Sequence, residues 1–136
     1  MIGVLVITHG DLGLEMIRAA ELIKGAMQGI LPIAVDTAKG MEDLKKEISA
    51  AIRKVDAGKG VLILTDLFGG TPSNISLSFL REGKVEVVTG VNLPMLLKLT
   101  DLRTEMELNA FAQQVSAYGK KNIYLASEVL SKKATA

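Results

Sequence analysis

The chain has 136 residues, 49% of them hydrophobic, which suits one domain (residues 1–136) with a core of its own. Sixteen Lys and Arg against fifteen Asp and Glu leave a formal charge of +1, so no basic face invites a nucleic-acid partner. Cysteine is absent and histidine occurs once, which excludes a disulfide scaffold and most metal chemistry; no metal or cofactor is called for.

No apolar run reaches membrane-spanning length. The N-terminus lacks the basic start and cleavage site of a signal peptide, so a soluble cytoplasmic protein, not inserted in a membrane, is expected. The first element is a short, uncharged run, Ile2 to Thr8, that reads as a buried strand and ends at the lone histidine, His9. Gly10 and Asp11 break it. Leu12, Met16, Ala19, Ala20 and Ile23 then recur at helical spacing, with Gly25 and Gly29 as stop signals. Ile30 to Val35 is a second strand, admitting Pro32 only near its start or at a sheet edge. Leu44, Ile48, Ala51, Ile52 and Val55 line one face of a second helix.

Val61 to Thr65 is a third, fully apolar strand that stops at Asp66. The loop Leu67 to Gly70 opens into a third helix through about Arg81, and Val85 to Thr89 is the fourth strand. The turn Gly90-Val91-Asn92-Leu93-Pro94 leads into a helix carrying Met95, Leu96, Leu99 and Leu102. A further helix runs from about Glu105 to Tyr118, followed by a short strand, Asn122 to Ala126, and a terminal helix or tail from Ser127 to Lys132.

Strands separated by helices imply an α/β fold: a doubly wound, mainly parallel sheet with helices on both faces, three layers in all. A flavodoxin-like strand order of 2-1-3-4 makes the first and third strands neighbours and puts the switch point at their carboxyl ends. That order brings His9 and Asp66 together. Thr71-Pro72-Ser73-Asn74 carries a helix-start pattern, with Thr71 as N-cap and Pro72 at the first helical position. The amides of Ser73 and Asn74 would then be free to meet an anion. Gly69 and Gly70 let the backbone approach a ligand closely.

A histidine, a carboxylate, a glycine turn and helix-start amides together suit a phosphoryl group held for a time on the imidazole. The carboxylate would fix the tautomer and favour the positive charge that grows on the ring, with His9 and Asp66 as the catalytic pair. Gly70, Thr71, Ser73 and Asn74 are the candidate phosphoryl-binding residues. Taken singly, Asp66 could cap a loop, and the Gly69-Gly70 pair could be an ordinary turn. Phe68 on that loop has two readings of equal standing, an exposed docking residue or packing beneath the loop.

His9-Gly10 after the opening strand, with Asp66-Leu67-Phe68-Gly69-Gly70-Thr71-Pro72-Ser73-Asn74 and Gly90 to Leu96, resembles the mannose-class enzyme IIA domain of the bacterial phosphoenolpyruvate-dependent sugar phosphotransferase system. The resemblance runs from Met1 to about Ala126. It implies a phosphocarrier that takes a phosphoryl group from HPr onto Nε2 of His9 and passes it to a IIB component for sugar uptake. It implies Asp66 as the partner of Nδ1, and a homodimer whose last strand, here Asn122 to Ala126, runs antiparallel at the sheet edge and is available for exchange between subunits. Some relatives carry a hydroxyl directly after the aspartate; here that position is Leu67.

Other functions fit less well. A flavodoxin-like ligand-binding module shares the fold, but Thr8 to Gly13 is no hydroxyl-rich phosphate cradle, and aromatics make up only 4% of the chain, too few for a flavin sandwich. Hydrolysis lacks the Gly-x-Ser-x-Gly elbow. A regulatory protein that reports its phosphorylated fraction without transport would use the same residues.

Overall fold

The computed structural model describes residues 1–36 and 38–135. The elements alternate as β1 (Gly3–His9), α1 (Leu12–Lys24), β2 (Ile30–Val35), α2 (Met41–Val55), β3 (Val61–Thr65), α3 (Thr71–Leu77), β4 (Val85–Thr89), α4 (Leu93–Leu102), α5 (Leu108–Lys121) and α6 (Ala126–Thr135). The four strands form one all-parallel sheet in the order β2-β1-β3-β4. The expected flavodoxin-like order is therefore the observed one. Pro32 lies on the edge strand β2, where its missing N–H leaves no neighbour unpaired.

Alternation along the strands sorts side chains to two cores. Val4, Val6, Leu62 and Leu64 face α1, α4 and α5 and pack with Leu96, Leu99, Phe111 and Val115. Leu5, Ile7, Val61 and Ile63 face α2 and α3 and pack with Leu44, Ile48 and Ile75. The central strands β1 and β3 are covered on both faces, which is why Val4 to Ile7 and Val61 to Leu64 are unbroken Val, Leu and Ile runs. Each such aliphatic side chain contributes roughly 1.5–3 kcal/mol by leaving water.

Several elements differ from the sequence expectation. In α1 the buried positions are Gly13, Ile17 and Ala20, while Leu12 and Ile23 are exposed. The apolar residues of this helix cover more than half its circumference, so spacing alone did not single out the face that packs. The third helix stops at Leu77, not Arg81. The Ser76 and Ser78 hydroxyls bond back to the carbonyls of Pro72 and Ile75, and Arg81 instead pairs with Val85 across a tight turn.

Residues 122–126 do not form the expected antiparallel edge strand. Ile123, Tyr124 and Leu125 are exposed, and a helix begins at Ala126. A β-branched and aromatic run becomes a strand only when an edge is within reach, and within this chain the segment lies on no strand.

One residue without a signal in the sequence holds the amino ends of the strands. Arg103 is 4% exposed, and its Nε, Nη1 and Nη2 donate to the carbonyls of Ile2 (2.9 Å), Gln28 (2.6 Å) and Gly29 (2.6 Å). Its own carbonyl accepts from the Ile2 amide at 3.2 Å. Burial pushes its pKa down from the ordinary value. Arg103→Met would leave three carbonyls without these donors, and a loss of about 3 kcal/mol in urea unfolding is expected; an unchanged midpoint would show the guanidinium contributes nothing net.

Candidate active site

The site forms where β1 and β3 end side by side. Successive amides of β1 point to opposite neighbours: Gly3 donates to Gly60 before β3, whereas Val4 donates to Gly29 and Gly10 to Val35 on the β2 side. By this alternation the His9 amide faces β3. The paired register ends at Ile7↔Thr65, so the next carbonyl in the ladder would be that of Asp66. Its carboxylate takes that place, with Oδ2 accepting from the His9 amide at 3.0 Å.

The same Oδ2 lies 2.7 Å from His9 Nδ1. Oδ1 accepts from the Leu67 amide at 3.0 Å. The Asp66 side chain is 9% exposed and that of His9 53% exposed, so a nearly buried carboxylate holds a half-open ring. Desolvation pushes the Asp66 pKa up and is the largest single influence. The His9 amide and ring hydrogen bonds, the charge of His9 and the Leu67 amide together outweigh it and leave the carboxyl below its ordinary 3.8.

An ionised carboxylate only accepts hydrogen bonds, so Nδ1 must carry the proton in this contact. The lone pair of the neutral ring is then on Nε2, on the far side from Asp66. Gly70 borders that side: a Cβ there would lie 3.0 Å from His9 Cε1 and 3.3 Å from Nε2. The absence of a side chain at Gly70 is what leaves Nε2 clear. Gly69 has a φ of +97°, which lets the loop turn back over the ring.

The helix start differs from expectation in its details. Gly70, not Thr71, is the N-cap of α3, and no side chain caps the helix. The Asn74 amide is engaged, donating to the Gly70 carbonyl at 2.9 Å. Ser73 is fully buried, because α3 packs its Pro72, Ser73, Ile75 and Ser76 face against the sheet, and among the described residues its hydroxyl has no partner. Of the four candidate residues, Gly70 is half-buried and Thr71 and Asn74 are exposed, and Gly70 is the one set against the ring. Leu67 and Phe68 are 50% and 73% exposed, which favours the docking reading of Phe68 over packing beneath the loop. Asn92 caps α4, accepting from the Met95 amide at 3.1 Å and donating to the Gly119 carbonyl at 3.1 Å, a structural task.

The His9 ring is open to solvent over about half its surface. A hollow of about 190 Å³ reaches Gly10 and Asp11, and one of about 400 Å³ lies between β4 and α5. An imidazole on open surface, with one nitrogen held and the other free, suits exchange of a small anionic group with another macromolecule better than enclosure of a small substrate.

Fold and site thus define a doubly wound α/β domain with a histidine–aspartate pair at its switch point. The family model described as "PTS system fructose IIA component" matches residues 3–116. The chain is 30% identical over 137 residues to the PTS system fructose-specific EIIA component of Bacillus subtilis, covering all of this chain and 94% of that one. It is also 30% identical over 125 residues to the PTS system mannose-specific EIIAB component of Escherichia coli, covering 88% of this chain and 39% of that longer protein. A crystal structure of phosphotransferase system component EIIA from Streptococcus agalactiae superposes with a TM-score of 0.84 at 26% identity, over 94% of this chain and 99% of that one. The chain belongs to the mannose-class IIA family, and its role is that of a phosphocarrier component of a sugar phosphotransferase system.

Gly70→Ala tests the clearance at Nε2. The backbone at Gly70, with φ −91° and ψ 175°, accepts any residue, so the variant is expected to fold normally. Its methyl would crowd the ring, and phosphoryl acceptance should fall on the order of tenfold or more. A rate equal to that of the parent protein would show that the ring has space to spare.

Proposed function

We propose that His9 accepts a phosphoryl group from the histidine phosphocarrier HPr and delivers it to a IIB component, in the cytoplasm, with residues 1–136 acting as one domain. The observation that carries this reading is the 2.7 Å contact of Nδ1 with Asp66, which assigns the proton to one ring nitrogen and the lone pair to the other.

The Nε2 lone pair attacks phosphorus in line with the P–N bond of the donor. That bond breaks, its electron pair returns to the donor imidazole, and a new P–N bond forms at Nε2. No proton moves on His9, because Nδ1 keeps its hydrogen throughout. The ring gains positive character as the bond forms, and the adjacent Asp66 carboxylate stabilises it. The amides and hydroxyl at Gly70 and Thr71 offer donors to the phosphoryl oxygens; one such preorganised donor is worth on the order of 100-fold in rate. With Leu67 in place of a hydroxyl residue, the loop depends more on backbone donors. Transfer to IIB reverses these steps.

Incubation with phosphoenolpyruvate, enzyme I and HPr should add one acid-labile phosphoryl group per chain. His9→Ala should abolish the label, and Asp66→Ala should slow its arrival with the fold retained. Label persisting in His9→Ala would refute the assignment, and unchanged kinetics in Asp66→Ala would remove that residue's role.

The protein is further proposed to act as a homodimer. The exposed Ile123-Tyr124-Leu125 segment of one copy would pair with the open edge of β4 in the other, beside the hollow lined by Glu86, Val87, Asn109 and Gln113. Sedimentation at micromolar concentration should give twice the chain mass, and Tyr124→Pro should shift it to the monomer. A monomeric parent protein would exclude this assembly.

A further inference from the structure

We infer that Thr8 is a positioning residue for phosphoryl transfer at His9, an inference that rests on the phosphocarrier reading above. Thr8 is the polar interruption in a strand otherwise made of Gly, Val, Leu and Ile before His9, and it is fully buried. A hydroxyl in such a place must find partners or cost stability.

Its partners lie on both sides of the catalytic turn. Thr8 Oγ1 accepts from the Gly13 amide at 2.8 Å and donates to the Gly10 carbonyl at 3.3 Å. Asp11 occupies the N-cap position of α1 but makes no side-chain capping bond, so Thr8 supplies the cap from the preceding strand. The close approach needs a small residue at Gly13, where a Cβ would stand 3.2 Å from Thr8 Oγ1 and 3.0 Å from the Val6 carbonyl. Gly10, at φ +54°, is bound on its other side by its amide to Val35 at 2.9 Å. The turn from residue 9 to residue 13 is thereby pinned to β1 by one hydroxyl and to β2 by one amide.

The consequence falls on His9. Its amide and its Nδ1 converge on a single oxygen of Asp66, so both bonds survive only if the backbone through Thr8, His9 and Gly10 keeps its orientation. Strand alternation sends the Thr8 side chain to the α1 face and the His9 side chain to the α3 face. The Thr8 hydroxyl therefore cannot touch the phosphoryl group and acts only through the ring it positions. Without it, the Gly10 carbonyl and the Gly13 amide lose their tether, the turn is held to the sheet by the Gly10 amide alone, the Nδ1 contact loosens, and Nε2 loses its fixed lone pair and direction.

The test compares Thr8→Val, which keeps the shape and removes the hydroxyl, with Thr8→Ser, which restores it. Because His9 is the only histidine, ¹⁵N signals from its ring are unambiguous. In the parent protein and Thr8→Ser the neutral ring should show one dominant tautomer, protonated at Nδ1. In Thr8→Val it should show a mixture of both, and the rate of phosphoryl acceptance from phospho-HPr should drop about tenfold. Thr8→Ala, which sets no methyl against the Gly13 amide, repeats the test should Thr8→Val fold poorly. A folded Thr8→Val or Thr8→Ala with the parent tautomer and rate, whatever its melting temperature, would reduce Thr8 to a helix cap and overturn the inference. If the parent protein takes no phosphoryl group, the phosphocarrier reading fails, and the role proposed for Thr8 in transfer fails with it. The ring spectra separately decide whether Thr8 controls His9.

Discussion

A single carboxylate oxygen organises the functional end of this protein. Asp66 Oδ2 stands where the parallel ladder between β1 and β3 would next offer a backbone carbonyl, and it accepts both the amide and Nδ1 of His9. The cost of holding a carboxylate that is largely withdrawn from water is met by three hydrogen bonds and the neighbouring ring, with the net effect of a lowered pKa. With Nδ1 held by Asp66, the other ring nitrogen lies on the side bordered by Gly70.

The sheet order makes this possible. Fifty-seven residues separate His9 from Asp66, and only the placement of β3 next to β1 brings them together. The two apolar cores, one on each face, favour that order by burying β3 and all of β1 except its last residue, His9. Arg103 ties down the opposite end, joining the starts of β1 and β2 to the end of α4 through three carbonyls. The two ends of the sheet are thus stabilised differently: a guanidinium on three carbonyls at the amino end, a carboxylate with an exposed imidazole at the carboxyl end. Only the second leaves a group free to react.

Openness at His9 accords with what a phosphocarrier must do. It exchanges a charged group with two different proteins, so its reactive nitrogen has to be reachable from a broad surface. Leu12, Leu67 and Phe68, each about half-exposed or more, are apolar positions in the helix start after His9 and the loop after Asp66. Their exposure is costly for an isolated chain and understandable for one that repeatedly meets partners.

Much of this was legible in the amino-acid chain. The first four strands followed from short apolar runs and glycine punctuation, and the family from its motifs, because these are local signals read over five to fifteen residues; the 2-1-3-4 order and the His9–Asp66 pairing it brings were expectations that the structure bears out, whereas the antiparallel fifth strand was not found. Tertiary packing alone decided the rest. Which face of α1 is buried depended on its neighbours, since apolar residues occupy more than one side. Burial of the Ser73 side chain depended on how α3 meets the sheet, and engagement of the Asn74 amide on the helix starting at Gly70. Arg103 gave no local sign, because its three acceptors belong to backbone far away in sequence. The 122–126 segment has strand-like composition, yet a strand exists only by pairing. No pattern within one stretch of chain can state which edge, if any, it will meet.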